Sequence, residues 1–114
     1  MQTSTLSDRN IYPATSREIV AQLGRSFAEI RFAYCDDGLF RFSLALQYSY
    51  GGYGGPIFAG AEPYPDIATA RVAALEQLLA DWPKPFAGDP ASVHEELRLL
   101  RQQIAAKLSQ PTLF

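Results

Sequence analysis

From Phe27 to Tyr50 the side chains alternate in character with a period of two, and the alternation is broken once, by Asp36-Asp37-Gly38. Before the break Ile30, Phe32 and Tyr34 alternate with Glu29, Arg31 and Ala33. After it Phe40, Phe42, Leu44, Leu46, Tyr48 and Tyr50 alternate with Leu39, Arg41, Ser43, Ala45, Gln47 and Ser49. Successive side chains of a strand point to opposite faces, so the pattern predicts two strands, each apolar on one face and polar or small on the other. It also predicts their register, because a slip of one residue turns an apolar face to solvent. A two-residue turn at Asp37-Gly38 sets Phe32 opposite Ser43. A three-residue loop, Asp36 to Gly38, pairs Tyr34 with Phe40, Phe32 with Phe42 and Ile30 with Leu44. The second matches the faces and is the expected arrangement, with Gly38 in the left-handed conformation of a bulged hairpin loop.

A sheet that is apolar on one side needs helices to cover it. Thr15-Ser16-Arg17-Glu18 reads as a capping box, followed by Ile19, Val20 and Leu23 on one helical face and by Gly24 as a terminator, which predicts a helix over 16–23. Gly51 to Pro56 reads as a mobile connection and Ile57 to Glu62 as a third strand. Asp66 can cap a helix whose apolar positions Ile67, Ala70, Ala74, Leu75, Leu78, Leu79 and Trp82 follow the 3.6 period and which Pro83 ends. Ser92-Val93-His94-Glu95 is a second capping box, and Val93, Leu97, Leu100, Ile104 and Leu108 form a narrow stripe that fits either docking on the sheet or a homodimer seam. The expectation is a two-layer α+β fold, α-β-β-β-α with a one-sided antiparallel sheet, plus a C-terminal helix. The segments are a flexible N-terminus (1–14), the α+β domain (15–82), a Pro-rich linker (83–91), the helix (92–108) and a tail (109–114). A chain of 114 residues, 47% apolar and 19% charged, suits one such domain and is far from the disordered composition.

The order of elements over 15–82 resembles the topology of double-stranded-RNA-binding domains. That resemblance implies a small binding domain for RNA or a protein partner. In such domains a lysine cluster at the start of the last helix grips phosphates. Here the position reads Asp66-Ile67-Ala68-Thr69-Ala70-Arg71, which departs from the pattern. Ten basic residues against 12 acidic ones leave a net charge of −2 without a basic block, so neither a nucleic-acid nor a membrane surface is expected. Residues 42–61 are uncharged, but their glycines, Ser43, Gln47, Ser49 and Pro56 suit a strand and a loop, not a membrane span. Tyr48, Tyr50 and Tyr53 gather at one end of the sheet and form a candidate partner surface, since tyrosine offers a large contact area at low entropic cost.

No residue set meets the requirements of catalysis, so a non-enzymatic protein without metal or cofactor is expected. His94 lacks the second histidine of a zinc-protease helix, Cys35 has no base near it in sequence, and turn chemistry accounts for Asp36 and Asp37. The glycines at 51–55 precede a strand and no Lys-Ser or Lys-Thr pair, unlike a phosphate loop. A single cysteine and the lack of a secretory signal suit a reducing, cytoplasmic setting.

The last five residues, Gln110-Pro111-Thr112-Leu113-Phe114, resemble the bacterial sliding-clamp-binding motif, a Q-x-x-L-F peptide on terminal or disordered segments of replication and repair proteins. Gln110, Leu113 and Phe114 occupy its defining positions, while Pro111 replaces the commoner leucine. The resemblance implies that Leu113 and Phe114 enter an apolar pocket with the Gln110 amide at its rim. It casts the chain as an adaptor of bacterial, phage or plasmid origin in DNA replication or repair.

Overall fold

The computed structural model describes residues 2–109. Segment 110–114, with Gln110, Leu113 and Phe114, lies outside the described residues, as does Met1. In chain order the elements are β1 (Ile11–Tyr12), β2 (Ser16–Leu23), β3 (Ser26–Tyr34), β4 (Phe40–Tyr48), β5 (Gly51–Tyr53), β6 (Ile57–Phe58), α1 (Ile67–Ala80) and α2 (Ala91–Ser109). The fold is α+β. Strands β2-β3-β4-β5 form an antiparallel meander, and β1 with β6 forms a separate two-stranded sheet.

The β3–β4 hairpin has the expected register, with Tyr34 opposite Phe40, Phe32 opposite Phe42 and Ile30 opposite Leu44. Cys35 N–H donates to Leu39 O at 2.8 Å to close the loop, and Gly38 has φ 83°. Even-numbered residues of both strands face the helices.

Ser16–Leu23 is not a helix but the edge strand β2. Its register against β3 shifts between Ile19 and Ala21, so Val20 is the extra residue of a β-bulge. The bulge puts both Val20 and Ala21 into the core. It also erases the period of two, leaving apolar residues at 19, 20 and 23 that imitate a helical face. Gly24, φ 61°, sits first in the two-residue turn between Leu23 and Ser26. Positive φ at glycine serves a helix terminus and a tight hairpin alike, so Gly24 suits either. The resemblance to the RNA-binding topology rested on that absent helix.

Gly51–Tyr53, expected as a mobile connection, pairs with β4, and a Cβ on Gly52 would lie 2.3 Å from Leu46 O, so only glycine fits there. Of the predicted third strand only Ile57–Phe58 is extended, and it pairs with β1 rather than with the main sheet. The N-terminal segment is hydrogen-bonded to the end of β3. Ser4 N–H donates to Tyr34 O at 2.6 Å and Ser4 Oγ–H to Pro13 O at 2.6 Å, and Ser4 is buried.

On the apolar face α2 lies over β2 and α1 over β4, and the helices also pack on each other. Ile30, Leu46, Leu75, Leu78, Leu100 and Ile104 are fully buried there. Asp66 Oδ1 accepts from Thr69 N–H at 2.7 Å and caps α1 as expected. The stripe Val93, Leu97, Leu100 and Ile104 is buried inside the domain, so it docks on the sheet and is not free to serve as a dimer seam. Polar ties fix the layers: Arg71 on α1 makes a two-point ion pair with Glu18 on β2 (2.8 and 3.0 Å), and Gln103 on α2 bonds both backbone groups of Gln22. On the opposite face a smaller core of Tyr12, Ala33, Cys35 and Ile57 packs under β1 and β6.

Candidate functional site

The outer edge of β4 is covered at its two ends and open between them. At one end Phe40 exchanges two backbone hydrogen bonds with Tyr64, 2.8 and 2.7 Å. At the other, Leu46 to Tyr48 pair with Tyr53 to Gly51. In an antiparallel strand alternate residues present N–H and C=O to the same side, so Phe42 and Leu44 direct theirs to the edge between those pairings. No backbone partner meets them among the described residues. The chain leaves the sheet after Tyr53, crosses at Gly54-Gly55, forms β6 against β1 and returns at Tyr64. A cavity of about 590 Å³ fills the gap.

Each wall has a local cause. Phe42 and Leu44 form the floor from β4, and the Tyr64 ring stacks on Phe42 with centroids 5.7 Å apart. Tyr64 lies between Pro63 and Pro65, and a residue before proline is held extended, which suits its bridge to Phe40. Tyr53 comes from β5, 41% exposed, and the last turn of α1 and its C-cap contribute Gln77 and Asp81. Glu62 enters from the returning segment, and its Oε2 accepts from Tyr64 O–H at 3.4 Å. Ser43 also lines the cavity, and its hydroxyl is buried without a hydrogen-bond partner among the described residues.

The electrostatics are one-sided. Glu62 and Asp81 line the cavity and no Lys, Arg or His does. The ion pairs among the described residues involve Glu29, Asp37, Glu18 and Glu95, so neither cavity carboxylate is neutralised by a basic side chain. Burial, with the Asp81 charge behind it, raises the Tyr53 phenol above its ordinary pKa, and burial with Glu62 does the same at Tyr64. Both phenols are therefore neutral hydrogen-bond donors at physiological pH. The arrangement is a partly aromatic cavity with two carboxylates, two phenols, one amide and a stretch of free strand edge.

The sequence-predicted residues are dispersed. Tyr48 flanks the main core, Tyr50 stands 59% exposed on the β4–β5 turn, and only Tyr53 reaches the cavity. His94 is exposed on the first turn of α2, where Nε2–H donates to Phe86 O at 3.1 Å. Cys35 is fully buried, and burial pushes its thiol up despite the nearby Arg41, the opposite of what a nucleophile needs. Arg41 itself lies 5.3 Å over the Tyr12 ring and pairs with Asp37 at 3.0 Å, while Tyr12 O–H donates to Asp36 at 3.2 Å. Asp36 thus fastens the hairpin end to β1, and Asp37 holds Arg41, which lies over the Tyr12 ring. Among the described residues no group of three His, Cys, Asp or Glu side chains is placed to hold a metal, and no helix is long and apolar enough to cross a membrane.

Glu62, Tyr64, Gln77 and Asp81 were not singled out from sequence. Only Pro63-Tyr64-Pro65, an aromatic held extended by its neighbour, carries a local signal. Comparison with protein-family models, curated proteins and solved structures finds no match to this chain.

Proposed function

We propose that this chain is a non-enzymatic adaptor whose body binds a ligand in the cavity at the open edge of β4. The observation that carries the reading is the cavity's construction: a preformed concave site, mostly aromatic and aliphatic, with a few convergent polar groups is the usual form of a small-molecule site. The test is a fragment screen followed by amide chemical shifts on the full chain. Binding fragments are expected to shift Phe42, Leu44, Tyr53 and Tyr64, and the exposed α1 substitution Gln77→Trp, which fills the cavity, is expected to remove them without lowering Tm. Shifts scattered over the surface, or binding that survives in Gln77→Trp, refute the reading.

The second attachment point of the adaptor is the tail, on the strength of Gln110, Leu113 and Phe114 standing at the three positions of the clamp-binding motif. Anchoring by an apolar pair predicts a dissociation constant on the order of micromolar for a bacterial sliding clamp, roughly 8 kcal/mol. Replacing Leu113 and Phe114 together by Ala abolishes that binding and leaves Tm unchanged. No binding by the unaltered chain at high micromolar clamp, or a fall in Tm of the double variant, rules the clamp role out.

A further inference from the structure

We propose that the occupant of the β4-edge cavity is a compact cationic molecule, a flat apolar body ending in an amidinium, guanidinium or protonated amine. The inference rests on the binding role just proposed for that cavity and names the chemistry of its ligand.

The charge follows from the lining. Two carboxylates converge on one concavity, neither is paired with a basic side chain, and no positive group stands on the walls. A cleft lined by one sign of charge between low-dielectric walls focuses the field and concentrates counter-ions of the opposite sign. Tyrosine faces add attraction for the same sign, since the face of an aromatic ring is its negative pole. A flat apolar body suits Phe42, Leu44, Tyr53 and Tyr64, three aromatic rings and one aliphatic side chain on the lining. Planar N–H groups also match what the strand edge offers, because the Leu44 and Phe42 carbonyls accept and the Gln77 amide can both accept and donate.

The compactness follows from topology. A partner strand that extended the sheet would have to run along β4 past both ends of the gap. Those ends are occupied by the Tyr64–Phe40 bridge and the Tyr53–Leu46 pair. The free edge spans only Phe42 to Leu44, which admits a small molecule and not an added strand. An anionic ligand meets Glu62 and Asp81 with no basic residue on the lining, and Arg41, whose Nε–H donates to Ala61 O at 3.2 Å, is already paired with Asp37.

The test titrates the full chain with benzamidine, with benzamide as its neutral isostere and with benzoate as the anion, following backbone amide shifts. Benzamidine is expected to move Phe42, Leu44, Tyr53 and Tyr64, to bind at least tenfold more tightly than benzamide, and to weaken as salt is raised. Benzoate is expected to leave these signals in place. The double substitution Glu62→Gln with Asp81→Asn, both at exposed positions, is expected to weaken benzamidine at least tenfold, equivalent to about 1.4 kcal/mol, while benzamide is unaffected and Tm is retained. Equal binding of benzamide and benzamidine, or an unchanged double variant, overturns the assignment. If benzamide or benzoate fills the cavity better than benzamidine, the binding role of the cavity stands and its cationic ligand falls. If no probe moves the lining amides, both fall together.

Discussion

Replacing Glu96 by alanine should loosen the join between α2 and the turns of the sheet. Glu96 Oε2 accepts from Ser26 Oγ–H at 2.7 Å and from Ser49 Oγ–H at 2.9 Å, and Oε1 accepts from Ser49 N–H at 3.0 Å. One carboxylate thus ties the β2–β3 turn and the β4–β5 turn to the same helix. Ser26 is only 6% exposed, so its hydroxyl loses its partner inside the protein, at about 1.5 kcal/mol. Ser49 is exposed and its two groups return to water, at roughly 0.3 kcal/mol each. The sum, about 2 kcal/mol, corresponds to a fall in Tm of roughly 8 °C for a domain of this size. The pH dependence tests the cause. Burial by itself raises the Glu96 carboxyl, but the Ser26 and Ser49 donors outweigh it and hold the group below its ordinary pKa. A depressed native pKa stabilises the fold above the unfolded value, about 4.3, and that contribution fades as pH falls through the native one. Urea unfolding of the native chain, Glu96→Ala and the isosteric Glu96→Gln at neutral pH and near pH 3 is the assay. The native advantage over Glu96→Gln should be clear at neutral pH and shrink in acid. An advantage of the same size at both pH values, or a Glu96→Ala loss below about 0.5 kcal/mol, refutes the reasoning.

Adjacent glycines should respond unequally to alanine. At Gly52 the new Cβ meets the Leu46 carbonyl at 2.3 Å, so about 2 kcal/mol and hydrogen-exchange protection of β5 should be lost, whereas at Gly51 it meets only the movable Tyr48 hydroxyl at 3.2 Å and the change should be mild. Both are read by denaturant unfolding and amide exchange. His94→Ala and Cys35→Ala should leave benzamidine titration and clamp binding unchanged, because His94 makes one surface bond to a carbonyl and Cys35 is fully enclosed, with a small loss of stability confined to Cys35→Ala. Loss of either binding activity in a folded variant contradicts that placement.

The β3–β4 register was legible because both strands keep strict alternation to their ends and because a single loop length brings the two apolar faces together. Strand β2 was not, because the Val20 bulge breaks its alternation at midlength while Thr15 and Glu18 happen to stand at capping-box spacing. Those two side chains do other work: Thr15 Oγ1 accepts from Tyr34 N–H at 2.9 Å and Glu18 holds Arg71. Strand β5 has no propensity for its state and forms because Gly52 alone permits close approach to β4. The cavity was the least legible part, since its floor, its two aromatic walls and its two carboxylates come from segments that only tertiary structure unites. Tyr53 was found for its aromatic character. Asp81 and Glu62 look like ordinary surface acids until α1 and the returning segment set them facing one space.

The excursion from Gly54 to Pro63 has a consequence for how such a chain can diverge. It departs from the sheet and rejoins it at the Tyr64 bridge, and its one deeply buried residue, Ile57, belongs to the smaller core on the far face. The main core is assembled entirely from β2, β3, β4, α1 and α2. Ala61 and Glu62 can therefore be exchanged, or residues inserted beside exposed Gly60, without disturbing the packing that sets stability. Two of the cavity's lining positions thus lie apart from the main core, and a library confined to positions 61 and 62 would change that wall on an unchanged scaffold.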